Sequence, residues 1–243
     1  MAVLIPMAGA GSRFKQAGYD LPKPLIDVLG KPMIEWVVNS LKPFGQEEYI
    51  FLVQKEHYQQ YDLKNVLNSL CPNCDIIEVD GLTEGAACTT LLAEKYLDPT
   101  DRLIISNSDQ YFTLKEGDDW LFKKQLDKYG GSILLFLAQH PKWSYAKLHG
   151  QKVVEVAEKN PISEWATCGI YGWGMVGDYY NSVRKMMHKN IRTNNEFYIC
   201  PAYNEYIQDN PEWDCHIGYV MVEQMWGLGT PEDLEYFLCN FPS

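Results

Sequence analysis

Short apolar runs alternate with stretches of helical spacing along the whole chain. Residues 3–7 are apolar at every position, which predicts a first strand buried on both faces. Pro32 sits in the first turn of a predicted helix. Met33, Ile34, Trp36, Val37, Val38 and Leu41 follow at helical spacing, and Gly45 lies just past its end. Further strands are predicted at 49–53, 75–79, 102–106 and 132–138, with helices at 56–70 and 85–96. A strand-rich stretch runs to about 175. Helices near 177–189 and 197–208, a strand near 215–222 and a helix from Pro231 close the chain. Strands alternating with helices predict an α/β fold with a largely parallel sheet, in which ligands bind beyond the carboxyl ends of the strands. No repeat, low-complexity tract or linker interrupts residues 1–243, which read as one domain.

Composition narrows the function classes. The chain has 243 residues, 46% of them apolar, which suffices for a sizeable core and argues against disorder. A formal net charge of -11 argues against a nucleic-acid binder, yet a few local cations can still serve one phosphate site. No apolar run reaches the roughly 18 residues of a membrane span. The first residues carry no basic segment of the kind that opens a signal peptide, so a cytoplasmic protein without membrane contacts is expected. The seven cysteines are scattered and read as reduced thiols. Cys71 and Cys74 form a lone Cys-x-x-Cys with no second pair at zinc spacing, which reads as a turn through Pro72 and Asn73.

The densest chemistry follows the first strand, in Ala8-Gly9-Ala10-Gly11-Ser12-Arg13-Phe14 and Pro22-Lys23-Pro24-Leu25. Two glycines let backbone N–H groups approach a ligand, and Arg13 and Lys23 supply cations for a polyphosphate. A dinucleotide fingerprint needs glycine where Phe14 stands, and a Walker loop needs serine or threonine where Pro32 follows Gly30-Lys31.

Gly9-x-Gly11-x-Arg13, Lys23-Pro24-Leu25 and Gly30-Lys31-Pro32-Met33-Ile34 resemble the opening of the sugar-phosphate nucleotidylyltransferases. The resemblance is densest in the first forty residues and thinner in the acceptor half. It implies a Rossmann-like core with a mostly parallel mixed sheet flanked by helices, plus a small strand-rich acceptor-side subdomain. It also implies an NTP substrate, a small phosphorylated acceptor, Mg2+, and a place in surface polysaccharide precursor synthesis. Arg13 and Lys23 are then the catalytic cations, and Ala8, Gly9, Gly11 and Ser12 cradle the nucleotide.

Later segments extend the resemblance. Thr83-Glu84-Gly85-Ala86-Ala87-Cys88 resembles the base-binding segment, with Thr83, Gly85 and Ala86 against the base; close helix packing with Thr83 as a cap is the plain alternative. Ser106-Asn107-Ser108-Asp109-Gln110 resembles the metal motif, which makes Asp109 the metal ligand and Asn107 and Ser108 nucleotide contacts; an Asx turn is the plain alternative. Glu158-Lys159-Asn160-Pro161 resembles a Glu-Lys-Pro segment with one residue inserted, and assigns Lys159 to the acceptor phosphate. Gly169 and Glu196 are matched to the acceptor side, Glu196 more loosely, since it also reads as a solvated acid at a helix start.

The closing Trp226-Gly227-Leu228-Gly229-Thr230-Pro231 departs from the family in one respect. Many relatives carry an aspartate where Gly227 stands, so either one carboxylate suffices or another acid such as Glu223 substitutes. The five histidines form no nucleophile–base pair, and of the seven tryptophans Trp173 or Trp226 is the candidate for a pocket wall. The compact chain and the small residues of the base segment favour a pyrimidine triphosphate, CTP first. A nucleotide-sugar-dependent glycosyltransferase, a non-catalytic nucleotide-binding regulator and a dinucleotide oxidoreductase are the other readings. Arg13 and Lys23 weigh against the first, Gly227 raises the second, and Phe14 disfavours the third.

Overall fold

A computed structural model describes residues 1–45, 48–211 and 216–242. Its strands are β1 (Ala2–Pro6), β2 (Asp27–Val28), β3 (Lys31–Pro32), β4 (Glu48–Gln54), β5 (Asp75–Val79), β6 (Leu103–Ser106) and β7 (Gln110–Thr113). They continue with β8 (Gly131–Leu137), β9 (Ser144–His149), β10 (Lys152–Glu158), β11 (Trp165–Trp173), β12 (Ile217–Met221) and β13 (Gln224–Gly227). The helices are α1 (Ser12–Gln16), α2 (Met33–Leu41), α3 (Lys55–Gln60), α4 (Leu63–Leu70), α5 (Ala86–Leu91), α6 (Asp118–Lys128), α7 (Val176–His188), α8 (Ala202–Asp209) and α9 (Pro231–Asn240).

Nine strands form one sheet in the order β5-β4-β1-β6-β11-β8-β12-β10-β9. Strands β5, β4, β1 and β6 are mutually parallel, as are β8 and β12. Only β11 and β10 run against the rest of this sheet. Strand β9 bonds to both β10 and β11, so the C-terminal half of the sheet curls back on itself. The fold is therefore α/β with a mixed, mostly parallel sheet flanked by helices.

Alternation along β1 explains why two cores form. Val3 and Ile5 face one cluster with Val37, Val38, Leu41 and Phe122, while Ala2 and Leu4 face the other with Val183, Tyr179 and Tyr203. Both faces are covered, which is why the strand reads as a continuous apolar run.

Several boundaries differ from the sequence expectation. The helix expected at 56–70 is two helices, parted at Tyr61 and Asp62. The helix expected over 85–96 stops at Leu91 and resumes as a 3-10 turn over Glu94–Tyr96. Strand β12 takes up the expected strand near 215–222, whose first position, 215, lies outside the described residues. The helix expected from 197 begins at Ala202, because the Phe197 backbone is bonded elsewhere: its N–H donates to the Glu84 carbonyl and its own carbonyl accepts from Ala87 N–H. Cys71 and Cys74 lie in a turn, with Asn73 at φ 66.

Candidate functional site

The loops after β1, β5 and β6 meet beyond the carboxyl ends of these three parallel strands. The first is anchored by Gln54 Nε2, which donates to the Ala8 carbonyl at 2.8 Å. Gly11 adopts φ +59, and a Cβ there would already touch the Lys23 side chain at 3.4 Å, so the loop and the Lys23 turn pack closely. That turn, Lys23–Leu25, carries the Lys23 ammonium to Asp109, where it donates to Oδ2 at 2.9 Å. Asp109 is fixed from the other side as well, its carbonyl accepting from Leu228 N–H at 2.8 Å. The aspartate thus ties together the glycine loop, the β6–β7 turn and the turn before α9.

Two cavities open at this junction. The smaller, of about 280 Å³, is walled by Ala8, Gly9, Lys23, Thr83, Gly85, Ala86 and Ser108. The larger, of about 450 Å³, is walled by Arg13, Lys142, Trp143, Glu158 and Lys159. They share Ala86, Asn107, Asp109 and Tyr198, so Asp109 lies on the seam.

The fifteen site residues singled out by the sequence can now be placed relative to this seam. Ala8, Gly9, Lys23, Thr83, Gly85, Ala86, Asn107, Ser108 and Asp109 converge on the smaller cavity, and Arg13 and Lys159 on the larger. Glu196, matched to the acceptor side, borders the smaller cavity, because the bonds of Phe197 to the segment before α5 draw it there. Gly11 borders a neighbouring cleft with Lys15 and Tyr19, and Ser12 opens α1 without lining these cavities. Gly169 stands behind the wall rather than in it. At φ +76 in a bulge of β11, it leaves room for two amides: a Cβ there would lie 2.1 Å from Gln110 Nε2 and 2.5 Å from Asn107 Nδ2.

The structure adds four residues that the sequence reading passed over. Gln110 is 2% exposed, faces the larger cavity, and its Nε2 has no hydrogen-bond partner among the described residues. An orphaned buried donor there is a ready contact for a ligand oxygen. Trp143 lines the larger cavity, whereas Trp173 is fully buried against Tyr203 and Trp226 packs on Phe237. Lys142, beside it, pairs with Asp233. The Lys159 ammonium donates to the Tyr198 hydroxyl and lies 4.4 Å from its ring centre. Gln110 ends the Asp109 motif at the start of β7, whereas no motif marks Trp143, Lys142 or Tyr198, which reach the cavity through β9, β10 and the segment before α8.

Burial dominates the electrostatics of the larger cavity. Burial pushes the Glu158 carboxyl up to about 7, against the opposing effects of the hydrogen bond from Ser144 and of the Lys159 charge. The same burial pushes the Tyr198 hydroxyl up, reinforced by the nearby Glu196.

Position 227 explains the missing aspartate. A Cβ on Gly227 would meet the Trp143 indole at 2.9 Å, and the Asp233 carboxylate would stand 3.5 Å from it. Glu223 points elsewhere, accepting from Thr113 Oγ1 at 3.5 Å. Among the described residues no three acids, imidazoles or thiols converge as a metal cage. The partly exposed Asp109 carboxylate, open to both cavities, fits a magnesium ion that takes most of its oxygens from phosphates and water.

A parallel-stranded core with a glycine loop and two cations at its switch point is the place where open α/β sheets bind their ligands. Residues 3–117 match the MobA-like NTP transferase domain. The chain is similar to the bifunctional protein GlmU of Methanocaldococcus jannaschii, 25% identical over 70% of this chain and 39% of that protein. It is also similar to a probable glucose-1-phosphate cytidylyltransferase of Bacillus subtilis, 27% identical over 49% of this chain and 50% of that protein. A solved nucleoside-diphosphate-sugar pyrophosphorylase of Vibrio cholerae RC9 superimposes with a TM-score of 0.82 and 27% identity, covering 98% of this chain and 100% of that one. Residues 3–117 thus match an NTP transferase domain, and the chain as a whole is similar to sugar-phosphate nucleotidylyltransferases. It spans only 39% and 34% of the length of the two GlmU relatives it matches. No helix among the described residues is long and apolar enough to cross a membrane.

Proposed function

We propose that the protein transfers a nucleotidyl group from an NTP to a small phosphorylated acceptor and releases pyrophosphate. The observation that carries this reading is the seam: Asp109 and Asn107 stand between a glycine-walled cavity bearing Lys23 and one bearing Arg13 and Lys159. The match of residues 3–117 to an NTP transferase domain and the likeness to nucleotidylyltransferases support the same chemistry.

In this reading the triphosphate lies along Ala8, Gly9 and the Lys23 turn. The acceptor phosphate sits against Lys159, and one of its oxygens attacks the α-phosphorus in line as the pyrophosphate departs. A phosphate oxygen is already nucleophilic, so no covalent enzyme intermediate is needed. The protein's task is to hold two anions that repel each other and to stabilise the charge that develops on transfer. Lys23 and Arg13 supply fixed cations for that charge, and Tyr198 holds the Lys159 ammonium in the larger cavity. Magnesium on Asp109 would neutralise phosphate charge when bound.

CTP is the favoured donor. The base wall is Gly85 and Ala86, which offer backbone edges rather than charged side chains. The Bacillus subtilis relative, named for cytidylyl transfer, adds support. The reading is tested by screening the common NTPs against sugar phosphates and phospho-alcohols for pyrophosphate release. Turnover with a pyrimidine donor is expected. Purine donors performing at least as well as the best pyrimidine would refute the base assignment, and no release with any pair would refute transfer.

A further inference from the structure

The base segment is held only partly by its own bonds, such as that from Thr83 Oγ1 to the Gly85 carbonyl at 3.0 Å. Gly85 sits at φ +134, a conformation that side-chain-bearing residues rarely adopt. Its place is set from outside by the segment 192–198. Thr193 and Glu196 exchange backbone hydrogen bonds of 3.1 and 3.0 Å around Asn194 and Asn195, both at positive φ, which makes a tight hairpin turn. From that turn Phe197 donates to the Glu84 carbonyl at 2.8 Å and accepts from Ala87 N–H at 3.0 Å.

One side chain locks turn and base segment together. Arg192 pairs with the Glu84 carboxylate through Nη2. Its Nη1 donates to the Asn195 carbonyl at 3.0 Å and its Nε to Asn190 Oδ1 at 2.6 Å. The guanidinium lies 3.8 Å from the centre of the Phe197 ring. A planar fork and a stacking face are both in use, a combination that an ammonium cannot reproduce. Arg192 itself lines neither of the two cavities.

We propose that Arg192 is a positioning residue for the nucleotide: by clamping Glu84 to the 193–197 turn it fixes Gly85 and Ala86 in the geometry that receives the base. This rests on the nucleotidyl-transfer reading. The clamp acts through Gly85, which walls the smaller cavity alone, so its loss should weaken the nucleotide more than the acceptor, although Asn194 of the same turn borders the larger cavity. Freeing one charge-assisted contact at a partly exposed site corresponds to roughly a tenfold change in affinity.

The test titrates CTP and UTP, each with magnesium, into wild type, Arg192→Ala, Arg192→Lys and Glu84→Gln, with melting temperatures and steady-state constants measured alongside. Arg192→Ala should raise the nucleotide Kd and KM about tenfold while kcat and the acceptor KM stay within about twofold. Arg192→Lys should not restore affinity. Glu84→Gln should move in the same direction by a smaller factor, and it serves as the readout should Arg192→Ala not fold. Unchanged nucleotide affinity in folded variants would overturn the clamp, as would an equal loss for both substrates in step with a lower melting temperature. Wild type that binds no nucleotide would overturn the transferase reading and the clamp with it.

Discussion

Replacing Gly85 with alanine isolates what the base segment costs to build. A Cβ at this position would lie 2.4 Å from the Phe197 carbonyl oxygen and 2.5 Å from its nitrogen, and both are backbone atoms that cannot rotate away. The substitution must therefore part the base segment from the 193–197 turn. Strain at φ +134 costs about 1–3 kcal/mol. Losing the two hydrogen bonds of Phe197 adds roughly 0.5–1.5 kcal/mol each, giving about 2–6 kcal/mol in all. For a domain of this size that corresponds to a melting temperature lower by roughly 5–20 °C. Gly9→Ala is the matched control, because a Cβ on Gly9 meets nothing within 4 Å in the empty loop. Calorimetric melting combined with nucleotide titration separates the two. Gly85→Ala should lose stability and nucleotide affinity together, whereas Gly9→Ala should keep its melting temperature and lose affinity only. A Gly85→Ala variant with wild-type melting and affinity would refute the packing argument. A Gly9→Ala variant with wild-type affinity would show that no ligand approaches this loop.

Three further substitutions probe the seam and the larger cavity. Lys23→Ala should lower kcat/KM by roughly 10- to 150-fold, the worth of one charge-assisted hydrogen bond in the transition state, in a folded protein; wild-type turnover would contradict its role. Asp109→Asn should abolish magnesium-dependent turnover, and manganese binding followed by electron paramagnetic resonance should weaken with it; unaltered metal binding would exclude Asp109 as the ligand. Glu158 has a folded pKa of about 7 against 4.5 ordinarily, so its contribution to stability is fully present below 4.5 and is lost as pH rises toward 7. Glu158→Gln should flatten this loss in melting curves recorded across that window, and an unchanged pH dependence would assign it to another group.

Much of the fold was legible because periodicity reports burial. The strand starting at Ala2 is apolar on both faces, and helix α2 shows its stripe plainly. The helix at Asp118–Lys128 was missed because it buries only Phe122 and Leu126, too few to set a period. The short pairing of β7 with β13 joins residues more than a hundred positions apart, which no local pattern records. The glycine loop, Lys23 and Asp109 were legible because their spacing is local. Gln110, Trp143 and Tyr198 were not, because their meaning is spatial. Gln110 becomes informative only through its unpartnered Nε2, and Trp143 only because it fills the space beside Gly227. Trp173 misled as a pocket candidate because aromatic composition does not distinguish a core ring stacked 4.2 Å from Tyr203 from a wall.

The most direct measurement follows the α-phosphorus. The enzyme is incubated with CTP labelled at the α-phosphate, magnesium and a phosphorylated acceptor that turns over, and the products are resolved by phosphorus NMR. The account predicts that the label enters a new diphosphate joined to the acceptor phosphate, with one unlabelled pyrophosphate released per transfer. Label recovered only in CMP or CDP without the acceptor, or product formed only from a preformed nucleotide sugar, would contradict it.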